Sequence, residues 1–202
     1  MIPMLAPPEC LANDDGLDGL LAWITGEVRA RRPPGGIVTR IVAIDGLGGS
    51  GKSSFAVHLS RALGGVPIVH TDDFATWDNP IDWWPQLLER VLIPISRSEP
   101  ARFERSRWGA ETDGELVVLE PTEFMILEGV TASREAFAPY VTYSIWVEAT
   151  AQLRLQRGLD RDGPAALKQW QAWMAEEDRY RLRDQPDKRA DLVIQGDCNL
   201  WT

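Results

Sequence analysis

At 202 residues the chain is long enough for one substantial core and too short for two ordinary domains joined by a long linker, so a single domain spanning 1–202 is expected. Hydrophobic residues at 44% and charged residues at 25% are ordinary globular values and argue against global disorder. A formal net charge of −9 opposes a broad electrostatic grip on nucleic acid, which relies on neutralising phosphates with Lys and Arg.

Residues 1–14 read as irregular. Met1 to Cys10 has no basic region ahead of an apolar core, and no apolar run approaches the roughly 20 residues that span a bilayer. A soluble cytoplasmic protein without membrane contact is expected. Cys10 and Cys198 are the only cysteines, too far apart for a metal-ligand or redox spacing, so both are expected as reduced thiols. From Asp15 to Arg31, Leu17, Leu20, Leu21, Ile24 and Val28 recur at helical spacing, with Asp14 or Asp15 as N-cap. Pro33-Pro34-Gly35-Gly36 stops this helix, so residues 1–36 form an N-terminal helical extension.

Ile37 to Ile44 is β-branched and nearly unbroken, as expected of a buried parallel strand. Behind it comes Gly46-Leu47-Gly48-Gly49-Ser50-Gly51-Lys52-Ser53-Ser54, and then Phe55, Leu59 and Leu63 at helical spacing. This is a complete G-x-x-x-x-G-K-[ST] phosphate loop between strand and helix. Gly46, Gly48, Gly49 and Gly51 let consecutive N–H groups, those of Ser50 to Ser54 included, curl around a phosphate at a helix N-terminus. Lys52 reaches β- and γ-phosphate oxygens in such a loop, and the Ser53 hydroxyl ligates Mg²⁺. ATP or GTP is the expected ligand.

Val66 to His70 reads as a second strand ending in Thr71-Asp72-Asp73-Phe74. Phosphoryl transfer to a hydroxyl needs a proton acceptor and a metal, and Asp serves either role. Asp78-Asn79-Pro80 marks a turn. Ile81 to Ile95 reads as a helix with Trp84, Leu87, Leu88 and Val91 on one face, ending near Pro94. Ser96 to Gly114 reads as a polar segment in which Arg97, Arg102, Arg105 and Arg107 mix with Phe103 and Trp108. Arg and aromatic side chains together can clamp a base or an anion, and a solvated charged loop is the plainer reading.

Glu115 to Glu120 resembles a short strand, and Phe124 to Leu127 is a stronger one that ends in Glu128-Gly129. An apolar strand ending in a carboxylate beside a phosphate loop has the pattern of a Walker-B element, with Glu128 orienting Mg²⁺. Val141 to Val147 is another strand. In the helix from Ala151 to Asp162, Arg154, Arg157 and Arg161 fall near one face, where they can close over a triphosphate as a lid spanning about residues 151–163. Pro164 to Leu182 reads as a long helix carrying Trp170, Trp173, Met174 and Tyr180, and Leu192 to Ile194 as the last strand. Most of the nine tryptophans are expected in packing roles. The alternation of strand and helix from 37 to 195 predicts an α/β fold, a parallel sheet of about five strands covered on both faces.

From residue 37 to 195 the sequence resembles the uridine kinase-like group of P-loop kinases. The resemblance rests on Gly46 to Ser53, Thr71-Asp72-Asp73-Phe74, Phe124 to Gly129, Arg154 to Asp162, and Ala190-Asp191-Leu192-Val193-Ile194, in that order and spacing. It implies a P-loop NTPase three-layer α/β/α sandwich with a helical lid, and an ATP- and Mg²⁺-dependent transfer of the γ-phosphate to a hydroxyl of a small, nucleoside-like molecule. In that pattern Asp72 is the base that takes the hydroxyl proton, Asp73 falls on a variable position, Arg157 and Arg161 match lid arginines, and Glu128 matches the Glu-Gly strand end. Uridine kinases carry a Tyr-Asp type pattern and a histidine between the second helix and the Glu-Gly strand. Here Ser96 to Gly114 offers Arg105-Ser106-Arg107-Trp108 and no histidine, so the segment does not name the acceptor.

Ile44-Asp45-Gly46 also resembles the opening of cytidylate kinase, which keeps a nucleoside monophosphate or another small metabolite open as acceptor. A regulatory ATPase switch acting through a protein partner uses the same phosphate loop. The expected partners are thus a nucleotide and a small-molecule acceptor, and association with further copies of the chain is compatible with the sequence.

Overall fold

The structure, a computed structural model, describes residues 4–5, 16–75, 81–105 and 114–197. The elements run in the order β1 (Met4–Leu5), α1 (Gly16–Ala30), β2 (Arg40–Asp45), α2 (Lys52–Ala62), β3 (Ile68–His70), α3, β4 (Ala101–Arg105), β5 (Glu115–Leu119), β6 (Phe124–Glu128), β7 (Val141–Glu148), α4 (Ala151–Asp162), α5 (Leu167–Asp184), α6 (Pro186–Arg189) and β8 (Leu192–Gln195). Helix α3 is composite, an α-helix over Trp84–Leu87, a π-helix over Leu88–Leu92 and an α-helix over Ile93–Ser96.

One sheet runs β1-β8-β7-β2-β6-β3, every neighbouring pair parallel. Its centre is the predicted five-strand parallel sheet. The two-residue strand β1 is an addition at the edge, in a stretch expected to be irregular, where Met4 pairs with Leu192 and Leu5 with Val193. Strand β2 lies in the middle, and the chain leaves it to one side for β6 and β3 and to the other for β7 and β8. In an open α/β sheet that reversal leaves a crevice at the carboxyl ends of the strands, and the glycine-rich loop leaves β2 at that crevice.

Alternate residues of β2 feed different cores, which is why the run is apolar without a break. Val42 and Ile44 pack with Leu20, Ile24 and Val28 of α1 and Phe55 and Leu59 of α2. Ile41 and Ala43 pack on the other face with Leu87 and Val91 of α3, Phe103 and Phe137. The layers are therefore α/β/α. The strand starts three residues later than the apolar run, because Val38 stands 67% exposed ahead of the first pairing.

Helix α3 continues to Ser96 instead of ending near Pro94. Pro94 has no N–H to give and its ring crowds the carbonyl four residues back. The widened turn relieves this, with Ile93 N–H reaching Leu88 O, five residues away. The segment Ser96 to Gly114 is likewise not all loop. Residues 101–105 form β4, which pairs antiparallel with β5 as a separate two-stranded sheet. Ala101 and Phe103 face the core while Arg102 and Glu104 are exposed, so a five-residue strand with charge at three positions, 102, 104 and 105, reads as a polar stretch. The N-cap position of α1, the Asp78-Asn79-Pro80 turn, Arg107, Trp108 and both cysteines lie outside the described residues. No described helix is long and apolar enough to cross a membrane.

Candidate active site

The loop between β2 and α2 is held by backbone features only glycine tolerates. Gly49 has φ +78°, and a Cβ there would sit 2.5 Å from the Arg154 carbonyl oxygen on α4. Gly51, at φ +95°, caps α2 in a left-handed conformation, so the helix opens directly at Lys52 with its N–H groups turned to the crevice. Beneath the loop, Asp45 is fully buried. Its carboxylate accepts from Gly46 N–H (2.7 Å), Thr131 N–H (3.1 Å), Ser133 N–H (2.9 Å), the Ser133 hydroxyl (2.7 Å) and the Tyr180 hydroxyl (2.6 Å). Burial pushes the Asp45 carboxyl and the Tyr180 hydroxyl upward.

At the end of β6, Glu128 is almost fully buried, with one oxygen 2.9 Å from the Ser53 hydroxyl and the other 2.6 Å from Nδ1 of His70 at the end of β3. Burial pushes its carboxyl up, but the His70 hydrogen bond, the Lys52 charge and the Ser53 hydroxyl outweigh that and hold it below the usual range. His70 is raised in turn, chiefly by its hydrogen bond to Glu128.

The short turn Thr71–Asp73 separates the paired aspartates. Thr71 is pinned through its hydroxyl to Val130 O at 3.1 Å. Asp72 is exposed on the crevice wall, whereas Asp73 turns inward and meets Arg105 Nε of β4 at 3.2 Å. Burial raises the Asp73 carboxyl against the pull of Arg105. The hairpin is fixed over this turn by Phe103, whose ring centroid lies 5.0 Å from that of Phe74.

The crevice is a cleft of about 680 Å³ whose walls include Gly48, Gly49, Gly51, Lys52, Ser53 and Ser54 from the loop side, Asp72, Arg157 and Arg161, and Trp170, Trp173 and Glu177 from α5. Gly46, Ser50 and Glu128 of the predicted set stand behind that surface. The three arginines of α4 differ from one another. Arg154 is buried and donates to Glu177 at 3.2 Å. Arg157 donates to Gly49 O (3.3 Å) and Gly196 O (2.9 Å), bracing the loop from outside. Arg161 pairs with Asp162 through two hydrogen bonds of 2.8 and 2.9 Å and lies over the Trp170 ring.

Three participants escaped the reading of the chain. His70 follows an ordinary strand pattern and gains its partner only when β3 pairs with β6. Asp45 is one more residue of an apolar strand until Tyr180 arrives from α5. Glu177 carried a signal, an acid in the helical stripe Trp170, Trp173, Glu177, Tyr180, four residues after Trp173 and three before Tyr180.

This strand order, with a phosphate loop at the switch point, is the fold of P-loop kinases. Among solved structures, a possible uridine kinase from Bacillus stearothermophilus superposes with a TM-score of 0.63 at 20% sequence identity, over 86% of this chain and 96% of the other. A candidate fructose transport system kinase from Silicibacter sp. TM1040 gives a TM-score of 0.55 at 21% identity, over 86% of this chain and 98% of the other. No protein-family model matches the chain. No curated protein sequence matches it.

Proposed function

We propose that this cleft transfers the γ-phosphoryl group of Mg²⁺-bound ATP to a hydroxyl of a small molecule, with a nucleoside-like acceptor favoured. The observation that carries the reading is the meeting of Lys52 and Ser53 of the phosphate loop with Asp72 and Arg161 on the walls of one cleft. Phosphoryl transfer is mostly positioning and charge stabilisation, so few groups are needed.

Ser53 and Glu128 suit a hard cation, since a hydroxyl and an ionised carboxylate lie 2.9 Å apart beside the loop. Mg²⁺ bound there supplies charge neutralisation at the phosphate oxygens. Lys52 and the loop amides hold the triphosphate. Asp72, exposed to the cleft where Asp73 is committed to Arg105, accepts the proton of the attacking hydroxyl. Arg161 lies at the cleft with a partner, Asp162, that it can exchange for phosphate, and Arg157 steadies the loop.

The test is ADP release with Mg²⁺ and ATP over a panel of uridine, cytidine, their monophosphates, pantothenate and simple sugars, with mass spectrometry of each acceptor. One acceptor class gaining a phosphate is the expected result. A requirement for a phosphate already on the acceptor would move the assignment to a monophosphate kinase. Hydrolysis indifferent to small acceptors and stimulated by a macromolecule would overturn the proposal in favour of a switch.

A further inference from the structure

Glu177 is fully buried, yet it projects from α5 against the phosphate loop, and all its partners are groups suited to an anion. One carboxylate oxygen accepts the Gly48 N–H at 2.9 Å and the Trp173 indole N–H at 2.8 Å. The other accepts from Arg154 at 3.2 Å. The Lys52 ammonium is close enough to act on its charge. A loop amide, a guanidinium and an ammonium converging beside a glycine-rich turn are the donors that receive a phosphoryl oxygen. Here a side chain of the protein itself holds two of them.

The loop amide of Gly48 has a single hydrogen. It cannot serve the Glu177 carboxylate and a phosphoryl oxygen at full strength together, and two anions side by side in a site with little water repel. We infer that Glu177 is a stand-in for the terminal phosphoryl group, and that a nucleoside triphosphate takes the Gly48 N–H and Arg154 by displacing its carboxylate. The inference rests on the nucleotide reading of the cleft. It makes Arg154, the inward member of the lid series, the arginine handed to the terminal phosphate. It also ties triphosphate binding to α5, which carries Tyr180 against Asp45 one turn further on. A nucleoside diphosphate lacks the γ-phosphoryl group that competes for this position, so Glu177 sets the balance between the two nucleotides.

A strut that merely props the loop makes the opposite prediction. Removing a strut weakens every nucleotide and loosens the fold, whereas removing a competing anion strengthens the triphosphate alone.

The experiment is calorimetric titration of the full chain with Mg²⁺ and either ADP or a β,γ-imido analogue of ATP, for the wild type, Glu177→Gln and Glu177→Ala. Both variants are expected to bind the imido analogue about tenfold more tightly and ADP within about twofold of the wild type. ADP binding with no gain for the analogue, or with both ligands weakened together, overturns the inference and leaves the nucleotide site standing. Absence of any nucleotide binding by the wild type overturns both. Should the variants not fold, the indole N–H resonance of Trp173 in the wild type, assigned with Trp173→Phe, is expected to shift with the imido analogue and far less with ADP. An unmoved resonance at saturating analogue overturns the inference.

Discussion

The floor of the cleft and its α4–α5 wall are built on opposite principles. On the floor, Asp45 collects five hydrogen bonds and Gly49 packs against α4 too closely for any side chain. Neither Asp45 nor Gly49 can change its surroundings without breaking these contacts. Along the wall, charges are paired with each other: Arg161 with Asp162 and Arg154 with Glu177. A phosphate arriving at either arginine would supply the negative charge that its carboxylate supplies now. On the proposed function, the floor would place the phosphate and the ion pairs of the wall would respond to it.

The largest effects test whether both regions serve one reaction. Lys52→Ala, on the floor, is expected to lower phosphoryl transfer by about a thousandfold or more, since it removes a preorganised charge. Asp72→Asn, across the cleft, is expected to spare ATP binding and cut transfer by a factor of hundreds, the scale of losing a general base. Steady-state turnover with parallel nucleotide titrations separates the two. Near-normal transfer by Asp72→Asn would remove this base from the mechanism.

Stability should divide the regions as well. Gly163→Ala, at the end of α4 with open space around it, pays only for a backbone at φ +85°, about 1–3 kcal/mol. Gly49→Ala carries a similar backbone strain and also drives a methyl into the Arg154 carbonyl, adding about 1–3 kcal/mol of overpacking. Urea unfolding should therefore rank Gly49→Ala well below Gly163→Ala, and equal losses would deny the floor its rigidity. Tyr180→Phe, which takes one donor from buried Asp45, is expected to destabilise by about 1–3 kcal/mol in the same assay.

The smallest predicted effect is one of pH. The folded pKa of His70 is raised above its ordinary 6.5 by Glu128, so its contribution is complete below 6.5 and is lost as pH rises through the folded value. Glu128 is lowered below 4.5, so its contribution is present above that value and is lost only as pH falls through the folded one. His70→Gln should accordingly destabilise the metal-free protein more at pH 6 than at pH 9. An equal loss at both would show that the imidazole acts there without its charge.

What the sequence made legible follows the same division. The floor is local, an apolar run, glycines and Lys-Ser within a short span, and its strand, loop and helix were foreseeable from neighbours in sequence. The remainder depends on partners far apart in sequence, Gly48 with Glu177 at the wall and Asp45 with Tyr180 at the floor, which meet only when α5 packs on the loop. Glu177 shares a helical stripe with Trp170, Trp173 and Tyr180, but its full burial is created by the packing of α5 on the loop. Strand β4 was hidden for a related reason: only Ala101 and Phe103 mark its inner face, and the pairing that makes it a strand comes from β5.

Whether the cleft moves a γ-phosphoryl group to a hydroxyl is decided with γ-labelled ATP and the acceptor identified by the panel. The measurement is the partition of label between acceptor and free phosphate in the wild type and in Asp72→Asn. Label is expected on the acceptor in the wild type and nearly disappears from it in Asp72→Asn, with ATP still bound. Label released to free phosphate in the wild type, with none on any acceptor, would contradict transfer to a hydroxyl.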